Sequence, residues 1–258
     1  MNDLSSQFCQ NLRVTKISSS HNGQIWHLCL ESPGWTWSPG QFVMLRPLNW
    51  GQDPFLARPF SIADMDDDEL HILFQVTGKG TTALSELKPG EAVKVWGPLG
   101  NGFAIQEQVP TLLLAGGIGI APFVGMVSTH QRLENLELLF GHRQDLSNFP
   151  FAKMSEVILA WSHQDRNSSE LQAFIRALEV KIEAYAQDGL IFACGPTPFL
   201  KKVQEVSARL GARTQVSLER HMACGLGACL GCVCNSVQGE LLRTCVDGPV
   251  FWAEQIEL

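Results

Sequence analysis

TLLLAGGIGIAPFVGMV, residues 111–127, is the longest apolar run in the chain. It approaches the length of a membrane span, yet Gly116, Gly117, Gly119 and Pro122 fall in its middle. A lipid-exposed helix has no use for three glycines and a proline there. A buried strand, a tight turn and a helix with Pro in its first turn do. The run is therefore expected to fold as strand, turn and helix start, with no membrane-spanning segment.

Downstream the same rhythm repeats. Strands are expected at 111–115, 136–140, 156–160 and 190–193 with helical stretches between them, which implies a parallel sheet flanked by helices. Upstream the pattern differs. Short runs rich in Val, Ile, Leu and Trp, at 12–17, 25–30, 42–47, 70–76 and 92–96, are separated by Pro and Gly turns at the spacing of a small barrel, with one helix at about 82–87. The rhythm changes near 106–110. The fold class expected is β plus α/β: a six-stranded antiparallel barrel over 1–107, a nucleotide-binding α/β domain over 108–215, and a small C-terminal module over 216–258. The 258 residues suffice for two cores and an appendage. The net charge of -7 argues against a nucleic-acid partner, which calls for a basic face.

The C-terminal module holds the sharpest pattern. In CGLGACLGC, Cys224, Cys229 and Cys232 are separated by four and then two residues, and Cys245 follows on the next hydrophobic segment. Three thiolates on one tight loop and a fourth from a returning strand is the ligand order of a plant-type 2Fe-2S cluster. Gly225, Gly227 and Gly231 suit such a hook, because glycine tolerates positive φ and lets N–H groups approach sulfur. Structural zinc is the competing reading. A four-cysteine zinc site usually shows two CxxC knuckles, and only Cys229 to Cys232 makes one. Disulfides are disfavoured: the N-terminus does not read as a signal peptide, a reducing cytoplasmic setting is expected, and Cys9, Cys29 and Cys194 are scattered. Cys234 is an alternative fourth ligand. Cys245 is favoured because 233–245 reads as a hairpin turning near Gln238 and Gly239.

Two further elements suit phosphate chemistry. Arg58-Pro59-Phe60-Ser61 follows an extended segment, and Gly78-Lys79-Gly80-Thr81-Thr82 opens the barrel's helix. A guanidinium beside free helix N–H groups can hold a pyrophosphate, with the Ser61 hydroxyl offered to the edge of a ring lying on the barrel. Taken alone, RPFS also fits a solvated turn. In 114–122, Gly116, Gly117 and Gly119 let a dinucleotide lie against backbone, although an ordinary strand-to-helix turn has the same composition. Cys194-Gly195-Pro196 ends another strand at the same sheet edge, where Cys194 alternatively reads as a small buried residue.

RPFS and GKGTT, then AGGIGIAP, then ACGP, resemble the ferredoxin-NADP reductase superfamily. SLERHMACGLGACLGCVC followed by RTCVDGPVF is similar to the electron-transfer subunits of type B dihydroorotate dehydrogenases, and the similarity spans essentially the whole chain. The resemblance implies FAD on the barrel, contacted by Arg58, Pro59, Phe60, Ser61, Leu73, Phe74, Gln75, Gly80 and Thr81. It implies a 2Fe-2S cluster on Cys224, Cys229, Cys232 and Cys245, and NAD as electron acceptor on the second domain. It also implies an FMN-containing catalytic subunit as partner, two of each chain, in pyrimidine synthesis. The cofactors do the chemistry, so no catalytic acid or base is expected in this chain. Phe60 departs from the Ile or Tyr more often expected there. Met222, Leu226 and Leu230 are the candidates for the partner-facing surface. Two rival readings are the small subunit of an electron-bifurcating transhydrogenase or a sulfhydrogenase, and a non-enzymatic redox sensor. The first cluster ligand in transhydrogenase subunits is typically Asp, and here it is Cys224.

Overall fold

A computed structural model describes residues 8–51 and 53–258. The first half folds into seven antiparallel strands: β1 (Cys9–Ser19), β2 (Ile25–Glu31), β3 (Phe42–Pro47), β4 (Arg58–Ser61), β5 (Asp64–Met65), β6 (Glu69–Gln75) and β7 (Ala92–Leu99). Their order is β4-β3-β7-β1-β2-β6-β5. Period-two alternation builds the interior, as in β6, where Leu70, Ile72 and Phe74 point inward and their neighbours outward. The sheet closes on itself where Phe60 of the end strand β4 packs on Phe74 of β6, next to the other end, ring centroids 5.7 Å apart. The strand beyond the six expected is the two-residue β5, which pairs Asp64 and Met65 with His71 and Leu70. Helix α1 (Lys79–Ser85) begins earlier than its composition suggests. The Thr81 hydroxyl accepts the Thr77 and Gly78 N–H groups at 2.9 and 3.1 Å, which closes the first turn on itself.

From Thr111 the chain alternates as expected: β8 (Thr111–Gly116), helix α2 (Ala121–Thr129), β9 (Leu136–His142), α3 (Phe151–Ser155), β10 (Leu159–Gln164), α4 (Ser168–Tyr185), β11 (Leu190–Cys194), α5 (Thr197–Leu210) and β12 (Thr214–Ser217). A short hairpin, β13 (Val233–Asn235) and β14 (Leu241–Arg243), precedes β15 (Val250–Trp252). The second sheet runs β10-β9-β8-β11-β12-β15. All six residues of β8 are buried, as a strand covered on both faces must be. Strand β10 starts later than the expected 156–160. The N–H groups of Glu156 and Ile158 bond back to Ala152 and Met154, so that stretch is spent as helical turn. The sheet is not wholly parallel, because β15 returns antiparallel to β12. Among the described residues no helix is long and apolar enough to cross a membrane.

The two sheets are fixed together through α2. The Gly125 N–H donates to the Ala63 carbonyl at 2.6 Å and the Ser128 hydroxyl to Asp64 at 2.9 Å. The Trp37 ring lies so close to Gly125 that a Cβ there would stand 2.2 Å from it. The glycine is a docking point.

Candidate functional site

In the C-terminal loop the four cysteines fall into two pairs. Cys224 lies near enough to Cys229, and Cys245 near enough to Cys232, for each thiol to act on its neighbour's titration. Two thiols for each of two irons is the donor set a 2Fe-2S cluster needs. A single zinc ion would gather its ligands more closely. Among the described residues, the one trio of Cys, His, Asp or Glu ligand atoms that all lie within 4.8 Å of one another belongs to His27, Cys29 and His71, far from this loop in sequence. The cysteine set fits a two-iron centre better than one ion.

Backbone donors are aimed at the sulfurs. Leu226 N–H lies 3.3 Å from Cys224 Sγ, and Gly227 N–H lies 3.2 Å from Cys245 Sγ. Burial pushes the Cys224 thiol up, but N–H donation from Leu226, Cys229 and Ala228 outweighs it and holds the group down at about 7. Burial, with the Cys232 thiol beside it, pushes Cys245 up to about 12. The hook depends on Gly225 and Gly227, with φ of 72 and 77°; Gly231 is not in that region. Cys234 is buried, but among Phe251, Ala253 and Ile256 on the nucleotide-domain side. Cys232 and Cys245 instead share a core with Phe42, Met44, Ala57 and Leu99 of the barrel.

Several anchors of this loop carry no motif. Trp96 Nε1 donates to the Cys224 carbonyl at 3.2 Å. Arg243 grips Asp247 through two nitrogens at 3.1 Å each, tying the segment that carries Cys245. An acid four residues after an Arg was the readable signal. Leu226 and Leu230 are exposed, as is Val246 beside them. Met222 is only partly exposed: it packs against the core that holds Met44 and Cys245.

On the barrel, β4 brings Arg58, Pro59, Phe60 and Ser61 to one edge. Arg58 lies against the first turn of α1, where a Cβ on Gly80 would meet its Nε at 2.7 Å. Only a glycine there leaves room for the guanidinium, and its Nη1 is held by the Leu56 carbonyl at 2.7 Å. This cradle fits a pyrophosphate. Leu73 and Gln75 flank it on the outer face of β6, while the Phe74 side chain is 1% exposed and leaves only backbone to offer. The Thr81 hydroxyl is committed to its own helix.

The glycine turn after β8 and Cys194-Gly195-Pro196 after β11 sit side by side at the carboxyl ends of adjacent parallel strands. From β8 the chain crosses to β9 on one side and later to β11 on the other, so the crevice between them is the topological switch point where α/β sheets bind nucleotides. Gly116, Gly119 and Gly195 interlock the two loops. Gly117, with φ of 56° and nothing within 4 Å of a built Cβ, faces open space. Burial pushes the Cys194 thiol up to about 12, which leaves it a neutral thiol at pH 7. Arg143 and Arg166 lie just after the carboxyl ends of β9 and β10, with Ser162 inside β10, and Arg143 pairs with Asp165 at 3.3 Å. The 117–120 turn also packs against β6, which brings the second crevice up to the barrel.

Fold and site define a flavin-dependent reductase carrying an iron–sulfur module. Residues 12–103 match an oxidoreductase FAD-binding domain, and residues 219–257 match the iron–sulfur cluster binding domain of dihydroorotate dehydrogenase B. The chain is 35% identical over 237 residues to the dihydroorotate dehydrogenase B (NAD(+)) electron transfer subunit of Caldanaerobacter subterraneus subsp. tengcongensis, covering 90% of this chain and 92% of that one. The corresponding Clostridium acetobutylicum subunit is 34% identical over 228 residues, covering 85% and 86%. Among solved structures, an NADH-dependent reduced ferredoxin-NADP oxidoreductase studied for flavin-based electron bifurcation superposes with a TM-score of 0.81 at 25% identity, covering 95% of this chain and 89% of that one. Phthalate dioxygenase reductase shares the fold at a TM-score of 0.65 and 16% identity, covering 96% and 77%. The chain belongs to the family of dihydroorotate dehydrogenase B electron transfer subunits.

Proposed function

We propose that this chain is the NAD+-reducing half of a dihydroorotate dehydrogenase complex, passing electrons from the FMN of a catalytic subunit through a 2Fe-2S cluster and FAD to NAD+ in UMP synthesis. The observation that carries this reading is the single packed core that joins Cys232 and Cys245 to Met44 and Ala57, the residue before Arg58. Ligand loop and flavin strand share one wall.

When bound, the cluster handles single electrons and the flavin pairs them for hydride transfer to the nicotinamide. Cys224, Cys229, Cys232 and Cys245 hold the cluster, and the N–H groups of Leu226 and Gly227 offset its negative charge. Arg58, seated on Gly80, binds the FAD pyrophosphate. Pro59, Phe60, Ser61, Leu73, Gln75 and the backbone of Phe74 and Thr81 orient the rest. Gly116, Gly117, Gly119, Cys194, Gly195 and Pro196 line the nicotinamide nucleotide crevice. Electron relay through the cofactors asks for no side-chain acid or base. The parts divide at 1–107, 108–215 and 216–258, with β15 of the last segment lent to the sheet of the second. Leu226, Leu230 and Val246 face the catalytic subunit, in a cytoplasmic assembly of two chains of each kind.

Co-expression with an FMN-containing dihydroorotate dehydrogenase catalytic subunit tests this directly. The complex should reduce NAD+ with dihydroorotate, and Cys224→Ser should abolish that activity while FAD stays bound. Activity that survives loss of the cluster, or that this chain shows without a partner, would overturn the relay. The 0.81 TM-score to the bifurcating reductase favours a second reading, a reductase subunit of another flavin complex. An assembly that ignores dihydroorotate and exchanges electrons among NADH, NADP and ferredoxin would select it.

A further inference from the structure

The outer wall of the barrel carries a ligand set that the electron path does not use. Along β2 and β6 the inward residues Leu28, Leu30, Leu70, Ile72 and Phe74 are core, so His27, Cys29 and His71 lie on the opposite face. Antiparallel pairing sets Cys29 directly opposite His71, with His27 one diagonal step away. Nε2 of His27 lies 3.1 Å from Nδ1 of His71, and Sγ of Cys29 lies 3.5 and 3.4 Å from those two nitrogens.

These separations have a geometric meaning. Around a tetrahedral ion with metal–nitrogen distances of about 2.0–2.1 Å and a metal–sulfur distance of about 2.3 Å, neighbouring ligand atoms stand roughly 3.3 Å (N to N) and 3.5 Å (N to S) apart. The three atoms form one face of such a tetrahedron. The set also has outer support. The second nitrogen of His71, Nε2, faces Asp66 Oδ2 at 3.7 Å and Glu69 Oε2 at 4.0 Å, the carboxylate backing that orients a metal-bound imidazole. Cys29 is 2% exposed, so its sulfur is shielded from bulk solvent and oxidants.

We propose that His27, Cys29 and His71 bind a divalent transition-metal ion of the zinc class, with water in the fourth position. Two imidazoles and a thiolate suit zinc and exclude the hard cations Mg2+ and Ca2+, which want oxygen. The ion clips β2 to β6. It does so beside the Ala63–Asp64 seam that receives α2, so it braces the wall against which the second domain docks.

The test uses the complete chain with FAD and cluster in place, iron content certifying the cluster, stripped with EDTA and titrated with Zn2+ against a chromophoric chelator. One Zn2+ per chain is expected, weakened more than about 100-fold in Cys29→Ala and in His71→Gln, since losing a ligand costs at least what losing its outer support does. Melting of each variant in EDTA should match the parent, certifying the fold. X-ray absorption at the zinc edge of the unaltered protein should show one sulfur and three nitrogen or oxygen ligands, with the outer-shell scattering of two imidazoles, and it decides the matter even where a variant fails to fold. No zinc uptake, leaving a hydrogen-bonded trio, would overturn the site. Sulfur-only coordination, or uptake unchanged in the variants, would do the same.

Discussion

Two glycine-rich loops serve this molecule, and their glycines are there for different reasons. In the loop from Cys224 to Cys232, Gly225 and Gly227 adopt φ of 72 and 77°, a backbone that other residues resist, and the turn aims N–H groups at sulfur. In the loop after β8, Gly116 and Gly119 adopt ordinary φ and are glycine because the loop after β11 is in the way, the Pro196 and Phe199 side chains for Gly116 and backbone for Gly119. A Cβ on Gly119 would stand 2.3 Å from the Cys194 carbonyl oxygen. In the first loop Gly225 and Gly227 supply conformation, with only side chains such as Met44 and Val246 in the path of a Cβ, and in the second Gly119 supplies room against backbone. In sequence both look alike, and both invite the reading that glycine means ligand contact.

The sharpest way to break that contrast is Gly119→Ala. Its new methyl would strike backbone rather than a yielding side chain, so the β8 and β11 loops must part. The expected loss is about 3 kcal/mol or more, a fall in melting temperature of roughly 6–12 °C, with nucleotide binding lost while flavin and iron stay bound. A variant that melts like the parent and binds NAD+ normally would show that the loops have slack.

Gly227→Ala comes next. The left-handed conformation costs about 1–2 kcal/mol for a residue with a Cβ, and that Cβ would also press on Val246 Cγ2 at 2.8 Å. Val246 is exposed and can turn aside, so the fold should survive. The donor to Cys245 should not keep its aim. The measurement is iron content and the cluster's electron paramagnetic resonance signal: occupancy should fall several-fold with FAD content unchanged. Full occupancy with an unaltered signal would remove the conformational role assigned to this glycine.

The same distinction explains what could be read beforehand. Strand alternation and the Thr111–Val127 run are local patterns, and each produced its element because hydrophobic period is written along the chain, as the spacing of Cys224, Cys229, Cys232 and Cys245 is. Most of what stayed hidden depends on pairing between distant segments, and the rest on local hydrogen bonds that compete with the expected role. Cys29 meets His71 only through the β2 to β6 register, which a shift of one residue would undo. Strands β12 and β15 are four and three residues long, too short for their period to stand out, and β15 joins the second sheet from beyond the cysteine loop. Met222 reads as surface beside Leu226, yet is half-buried against the core that Cys232 and Cys245 share with the barrel. The Thr81 hydroxyl closes its own helix, which leaves the residue's backbone for a ligand. At 156–160 the apolar residues suit a strand, and backbone bonds to α3 claim them first.

Gly117→Ala sharpens the comparison most finely, because this glycine belongs to the second loop and behaves like the first. Its φ is 56°, and no atom lies within 4 Å of a built Cβ. Room is therefore not the issue and conformation is, so the cost should be the left-handed penalty alone, about 1 kcal/mol, or roughly 2–4 °C in melting temperature. The open space above it is where the nucleotide would approach, and a methyl there would obstruct that approach. KM for NAD+ in the reconstituted complex should rise several-fold while flavin content, iron content and reduction of an artificial one-electron acceptor stay at parent values. An unchanged KM would move the nucleotide away from this turn and leave Gly117 a conformational glycine only. A melting loss as large as that of Gly119→Ala would mean that the loop's two kinds of glycine are not separable.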